Sequence, residues 1–100
     1  MKVYFDIETN EIYDWLNLTD LKTILCMGVS IDGEEPQIVD VKDGLTLLQN
    51  ADEIIGHNIQ SFDVPALKRL YPSFVPARMV DTLLTARLLY ADQRERDFQI

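Results

Sequence analysis

The chain has little cysteine, histidine or positive charge. Its 100 residues include one Cys, one His, and nine Lys and Arg against 17 Asp and Glu. A single cysteine excludes an intrachain disulfide and gives no hint of secretion. Cys26 sits in the apolar run Ile24-Leu25-Cys26-Met27-Gly28-Val29, which predicts a buried structural thiol rather than a nucleophile. A net charge of -8 excludes a protein that grips nucleic acid by bulk positive charge. It does not exclude a nuclease, because carboxylates that bind metal ions add negative charge that the cations offset. Four Gly and four Pro, with no internal repeat, leave no low-complexity linker. No apolar stretch approaches the roughly 20 residues that span a membrane. The N-terminus reads directly into a strand without a signal peptide, so a cytoplasmic location is expected.

What is present is globular. At 47% hydrophobic and 26% charged, the sequence reads as one domain with a modest core. Lys2 to Ile7 predicts a buried strand, and Thr9 to Asp20 a loop or short helical turn whose Trp15 and Leu16 cover the core edge. Thr23 to Asp32 predicts a second strand and Asp32-Gly33 a hairpin turn. Gln37 to Val41 follows as a third strand, antiparallel to the second. Asp43-Gly44 opens a short helix, Glu53 to Gly56 is a strand, and Gln60 to Leu70 a helix with Pro65 in its first turn. Arg78 to Val80 is a short strand. Asp81 to Tyr90 closes the series as a helix capped by Asp81 or Thr82. The order β-β-β-α-β-α-β-α predicts an α/β fold, a mixed sheet with helices packed on it.

Two acidic motifs stand out. Asp6 and Glu8 in Phe5-Asp6-Ile7-Glu8-Thr9 are two residues apart, so on a strand they project to one face. Converging carboxylates repel unless a cation or proton sits between them. Asp63, in Asn58-Ile59-Gln60-Ser61-Phe62-Asp63, adds a third acid beside a helix entry that Asn58 could cap. Three such acids suggest a divalent-metal site. The lone His57 reads as structural rather than as a catalytic base, and Phe62 as core.

In order and spacing these segments resemble the first two motifs of DEDD-type (DnaQ-like) 3′–5′ exonucleases. Asp63-Val64-Pro65-Ala66-Leu67 and Val80-Asp81-Thr82-Leu83-Leu84-x-x-Arg87-Leu88 look like the proofreading domain of bacteriophage family A DNA polymerases. The resemblance implies a ribonuclease H-like fold and hydrolysis of 3′-terminal phosphodiesters during DNA replication. It implies Asp6, Glu8 and Asp63 as catalytic ligands of two ions, Mg²⁺ or Mn²⁺, and Thr9 and Asn58 as contacts to the substrate. Two ions about 4 Å apart activate the attacking water and stabilise the leaving oxygen, and hard oxygen ligands suit these metals. The implied partners are the 3′ end of single-stranded DNA and a polymerase domain. Asp81 flanks the site without being assigned to metal. Arg87, Arg94 and Arg96 read equally as phosphate contacts or solubility residues.

The family's third motif, Tyr-x-x-x-Asp or His-x-x-x-x-Asp, finds no match. Tyr90 is followed four positions on by Arg94, Tyr71 by Val75, and His57 five positions on by Phe62. Residues 1–100 are therefore expected to be the N-terminal part of a single exonuclease domain lacking its C-terminal helices, with 91–100 a polar tail open to disorder. A non-catalytic binding or assembly module that self-associates through an uncovered sheet is an alternative. A DEDD exoribonuclease is another, since sugar preference is not legible in these motifs.

Overall fold

The structure, a computed structural model, describes residues 1–89. Its elements are β1 (Lys2–Thr9), β2 (Ile24–Ile31), β3 (Gln37–Val39), α1 (Val41–Asn50), β4 (Glu53–Gly56), a π-helical turn (Ile59–Asp63), α2 (Val64–Leu70) and β5 (Met79–Asp81). Residues 82–89 are helical. The strands form one mixed sheet in the order β3-β2-β1-β4-β5. β1 and β2, and β2 and β3, pair antiparallel, while β1 with β4 and β4 with β5 pair parallel. The element order is the one the hydrophobic patterning predicts. The expected tail 91–100, with Arg94 and Arg96, lies outside the described residues, as does Tyr90.

β1 shows strict alternation. Val3, Phe5 and Ile7 are buried, whereas Lys2, Tyr4, Asp6 and Glu8 are exposed. The buried set joins Met27 and Val29 of β2, Leu48 of α1, Ile54 of β4, and Val64, Ala66 and Leu67 of α2 in one core. One face of the sheet thus carries α1 and α2. Residues directly opposite in an antiparallel pair share a face, so the other face sets Tyr4, Asp6 and Glu8 against Ser30, Gly28 and Cys26. Ile38, paired with Gly28, extends that row and is 81% exposed.

The Asp32-Gly33 turn forms as predicted. Both residues have positive φ, 51° and 80°, and Glu34 N donates to Ile31 O at 2.9 Å. That pattern matches the mirror-image turns whose twist suits a hairpin.

Five local expectations are corrected. β3 ends at Val39, because Asp40 leaves the sheet to cap α1 by accepting from Asp43 N at 2.9 Å. The helix therefore opens at Val41, ahead of Asp43-Gly44. Trp15 and Leu16 do not cover the core, being 62% and 94% exposed, and Ile12, Leu18 and Leu21 fill that place. Cys26 is half-buried, since it lies opposite Glu8 on the open face. Phe62 packs against the core edge without being enclosed.

The fifth correction concerns the helix expected over 60–70. It begins as a π turn, with Val64 N–H bonded to Ile59 O. A proline ring in a helix collides with the carbonyl four residues earlier, which for Pro65 is that of Ser61. Widening the preceding turn by one residue relieves this collision and lets the chain remain helical. Such one-turn π segments recur at functional sites.

Candidate active site

Asp6 and Glu8 stand on the open face of β1, both exposed, and neither forms an ion pair among the described residues. Asp6 faces Gly28, which has no side chain to fill the space. It therefore borders a shallow depression of about 300 Å³ rimmed by Tyr4, Ser30 and Pro36.

The π turn delivers Asp63 to the same strand. β4 pairs with β1 only alongside Lys2 to Tyr4. Farther along, Ile7 lies past the end of β4. Its amide donates instead to Asp63 Oδ2 at 3.1 Å. Ile7 is the residue between Asp6 and Glu8, so the three acids converge on one short stretch of backbone. Among the described residues, no three His, Cys, Asp or Glu side chains are gathered tightly enough to hold a metal ion. The backbone brings the three acids to one place, and the carboxylates themselves remain splayed.

Asp63 is 3% exposed. Burial pushes its pKa up to about 7; the Ile7 hydrogen bond opposes the rise, while the charges of Asp6 and Asp81 add to it. A buried acid next to like charges and without a cation is held near neutrality by its surroundings. A bound cation would offset these contributions and favour the charged carboxylate.

Asp81 behaves differently although it too is buried. Its Oδ1 accepts from Asn58 N and Leu83 N, and its Oδ2 from Gln60 N, each at 2.9 Å. Burial alone would raise its pKa, but these amide bonds outweigh that and hold the carboxyl below its ordinary value. Both oxygens are committed to backbone. Asp81 therefore caps the 82–89 helix and braces the turn that leads to Asp63. This bracing role was missed in the sequence. The Asp-Thr-Leu-Leu run signals the cap, but nothing local signals the amides of Asn58 and Gln60.

Asn58 does not cap the helix through its side chain. It adopts the left-handed conformation (φ 60°, ψ 27°), and only its carbonyl engages the turn, accepting from Phe62 N at 3.1 Å. Asparagine tolerates this region better than most residues. Thr9 is half-buried at the end of β1, its hydroxyl donating to Asn10 O at 2.8 Å. His57 is exposed, with Nδ1 3.1 Å from Thr82 Oγ1. It sits outside the acidic group, in keeping with a structural role.

Gly56 closes the arrangement from below. A Cβ there would lie 2.3 Å from Ile59 Cγ2 and 2.8 Å from Phe5 O. The backbone of β4 can thus approach β1 and the π turn only without a side chain at this position.

Comparison with known proteins gives a fold relationship. No family model matches the chain, and no curated protein matches it. A solved structure is similar: the family B DNA polymerase from the hyperthermophilic archaeon Pyrobaculum calidifontis, with 23% sequence identity and a TM-score of 0.52. The match covers 82% of this chain and 12% of that one. The chain is similar in fold to part of a DNA polymerase. The sequence motifs resemble family A proofreading domains, whereas this structural likeness is to a family B enzyme. No helix among the described residues is long and apolar enough to cross a membrane.

Proposed function

We propose that the chain is part of a ribonuclease H-like 3′–5′ exonuclease domain that acts on the 3′ end of single-stranded DNA in the context of a DNA polymerase. The observation that carries this reading is the hydrogen bond from Ile7 N to Asp63 Oδ2, which ties the third acid to the strand bearing Asp6 and Glu8. The sheet order β3-β2-β1-β4-β5, with β2 alone antiparallel to the rest, is consistent with such a fold. The polymerase likeness supports the fold and leaves the chemistry to the residues.

The donor set fits Mg²⁺ or Mn²⁺. It is made of carboxylate oxygens, lacks a neutralising Lys or Arg among the described residues, and includes an acid whose pKa is raised partly by its own neighbours. Asp6, Glu8 and Asp63 would hold the metal. When bound, two divalent ions supply an activated water and charge compensation at the leaving oxygen. The chain's own residues prepare the site. The Ile7 amide fixes Asp63 Oδ2. Asp81 holds the 58–60 turn from which Asp63 is launched. Exposed Asp6 and Glu8 can rotate toward an incoming cation. Thr9 and Asn58, which border the two acidic segments, would contact the terminal nucleotide on this reading.

Degradation of a 5′-labelled single-stranded DNA with Mg²⁺ or Mn²⁺, beside Asp6→Ala, tests the reading. Stepwise shortening from the 3′ end that is lost in Asp6→Ala is expected. Equal cleavage by both proteins would remove the assigned site. The same oligonucleotide in RNA form distinguishes an exoribonuclease.

The open-face row of exposed Ile38, half-buried Gly28 and exposed Asp6, with Tyr4 at 43% exposure, favours a second reading. On that reading the chain is an assembly module whose open sheet face pairs with another copy. Sedimentation across a hundredfold concentration range separates the two, since a concentration-independent monomer contradicts self-association.

A further inference from the structure

The loop between β1 and β2 holds its largest side chains in water. Tyr13 is 77% exposed, Trp15 62% and Leu16 94%. A loop that merely connected two strands would be expected to turn such residues inward, as this one does with Ile12, Leu18 and Leu21. Their outward display is fixed by hydrogen bonds. Asp20 accepts from the amides of Tyr13 and Asp14. Asp14 in turn accepts from Asn17 N at 3.0 Å and from Thr19 Oγ1 at 2.6 Å. Asn10 ties the base of the loop together, with Oδ1 accepting from Lys22 N at 2.9 Å and Thr23 N at 3.1 Å. Leu18 takes a positive φ of 55° so that it can turn inward while Trp15 stays out.

Trp15 is anchored on one side. Its ring packs against Phe62 with centroids 5.1 Å apart and planes tilted by 50°. Phe62 precedes Asp63, and the loop itself leaves β1 directly after Glu8 and Thr9. The exposed indole therefore packs on the residue that precedes Asp63, from a loop that begins just after Glu8 and Thr9.

We infer that Trp15 is a stacking platform for an unpaired nucleobase at the rim of the Asp6, Glu8 and Asp63 site, an inference that rests on the nuclease reading above. The position of the indole beside Phe62 and Asp63, rather than charge, favours this occupant. Residues 10–21 contain Glu11, Asp14 and Asp20 and no Lys or Arg. Such a loop repels phosphate and can attract a single strand only through the faces of its bases. Base–aromatic stacking is tolerant of sequence because every base has a π-face, which suits an enzyme that must accept any terminal nucleotide.

Trp15 is the sole tryptophan of the chain, so its emission reports on this position alone. The native chain would be titrated with a thymidine oligonucleotide and with an abasic deoxyribose-phosphate oligomer of equal length. Binding would be followed in parallel by the anisotropy of a label on the 5′ end. Quenching of Trp15 with the thymidine oligomer and none with the abasic one is expected. Trp15→Ala should raise the Kd for the thymidine oligomer by a factor of about 5 to 150 and leave the abasic Kd unchanged. Trp15→Phe, which keeps an aromatic face, should stay within about threefold of the native value.

Saturable binding with unchanged Trp15 emission overturns the inference, and so does an absence of binding. Emission that changes with protein concentration before any oligonucleotide is added also overturns it, since a second copy then covers the loop. Hydrolysis is read separately, from product length. Quenching without cleavage retains the platform and removes the exonuclease. Cleavage with a silent Trp15 does the opposite.

Discussion

The amide of Ile7 donates to Oδ2 of Asp63 at 3.1 Å, across 56 residues of sequence. This bond substitutes a side chain for the next rung of the β1–β4 ladder and buries a carboxyl beside a strand that already carries two. Its consequence is a pH dependence of stability. The folded-state pKa of about 7 lies above the ordinary 3.8. Between those values the folded chain binds more protons at this group than the unfolded chain, so stability falls as pH rises through that window and levels off above it. A gap of about three pH units corresponds to about 4 kcal/mol at most. Asp63→Asn should lack this decline, and urea unfolding at pH 4 to 8 measures the difference between the two proteins. Saturating Mg²⁺ should restore stability to the native chain at pH 7.5 and do little for Asp63→Asn. Parallel pH profiles would show that Asp63 titrates normally.

Asp81 and Asn58 are joined by the same kind of contact, a carboxylate accepting from a backbone amide, here repeated at Gln60 and Leu83. Removing the acceptor leaves three donors without their partner in a half-buried turn. Asp81→Ala should cost about 3 kcal/mol, given roughly 1.5–3 for a hydrogen bond to a charged group and incomplete additivity. For a domain of this size that lowers Tm by roughly 12–24 °C. Asp81→Asn keeps one acceptor oxygen and should lose less than half as much. Calorimetry of the two variants ranks them, and equal losses would mean that charge rather than acceptor number matters here.

Much of this organisation is legible in the residues because it is local. Alternation in Val3, Phe5 and Ile7 fixes the face on which Asp6 and Glu8 must stand. Asp32-Gly33 sets its own turn through two positive φ values. The features that escape reading are non-local. The π turn arises because Pro65 meets the carbonyl of Ser61, and a 3.6-residue period cannot register one extra residue. Trp15 counts as apolar in any pattern, yet Asp14, Thr19 and Asp20 hold its loop so that it faces water. Asp81 looks like a simple helix cap, since its other two amide partners lie more than 20 residues earlier. The motifs resemble family A proofreading domains and the structural likeness is to a family B enzyme, and at 23% identity that likeness speaks to the fold alone.

Gly56 offers a test of how closely β4 must approach the site. Its missing Cβ would fall 2.8 Å from the backbone oxygen of Phe5, an atom that cannot swing aside. Gly56→Ala should therefore destabilise by about 1–3 kcal/mol, the usual range for overpacking. The contrasting case is Gly44, where the added Cβ would meet only side-chain atoms of Met27, Sδ, Cε and Cβ at 2.5, 2.8 and 3.3 Å. Gly44→Ala should cost less than Gly56→Ala, because repacking of fully buried Met27 is partly offset by alanine being the better helix former by roughly 0.8–1 kcal/mol. Chemical denaturation of both variants measures the contrast, and a larger loss at Gly44 would reverse this account of the two sites.

Asp6 separates function from stability. It is exposed, and its charge is one of the factors that raise the pKa of buried Asp63. Replacing it with Asn removes a like charge without opening a cavity or orphaning a buried donor. Surface substitutions of this kind usually stay within about 0.5 kcal/mol, and relief of the repulsion acts in the stabilising direction. Asp6→Asn should thus melt at or slightly above the native temperature at pH 7.5 without metal. In Mg²⁺ the order should invert, because the native chain gains from the cation and the variant gains less. Hydrolysis by the variant should fall by orders of magnitude, since one of the proposed metal ligands is weakened. Melting with and without Mg²⁺, beside the cleavage assay, reads all three outcomes. A variant that is less stable than the native chain in the absence of metal would show that Asp6 serves the fold rather than the site.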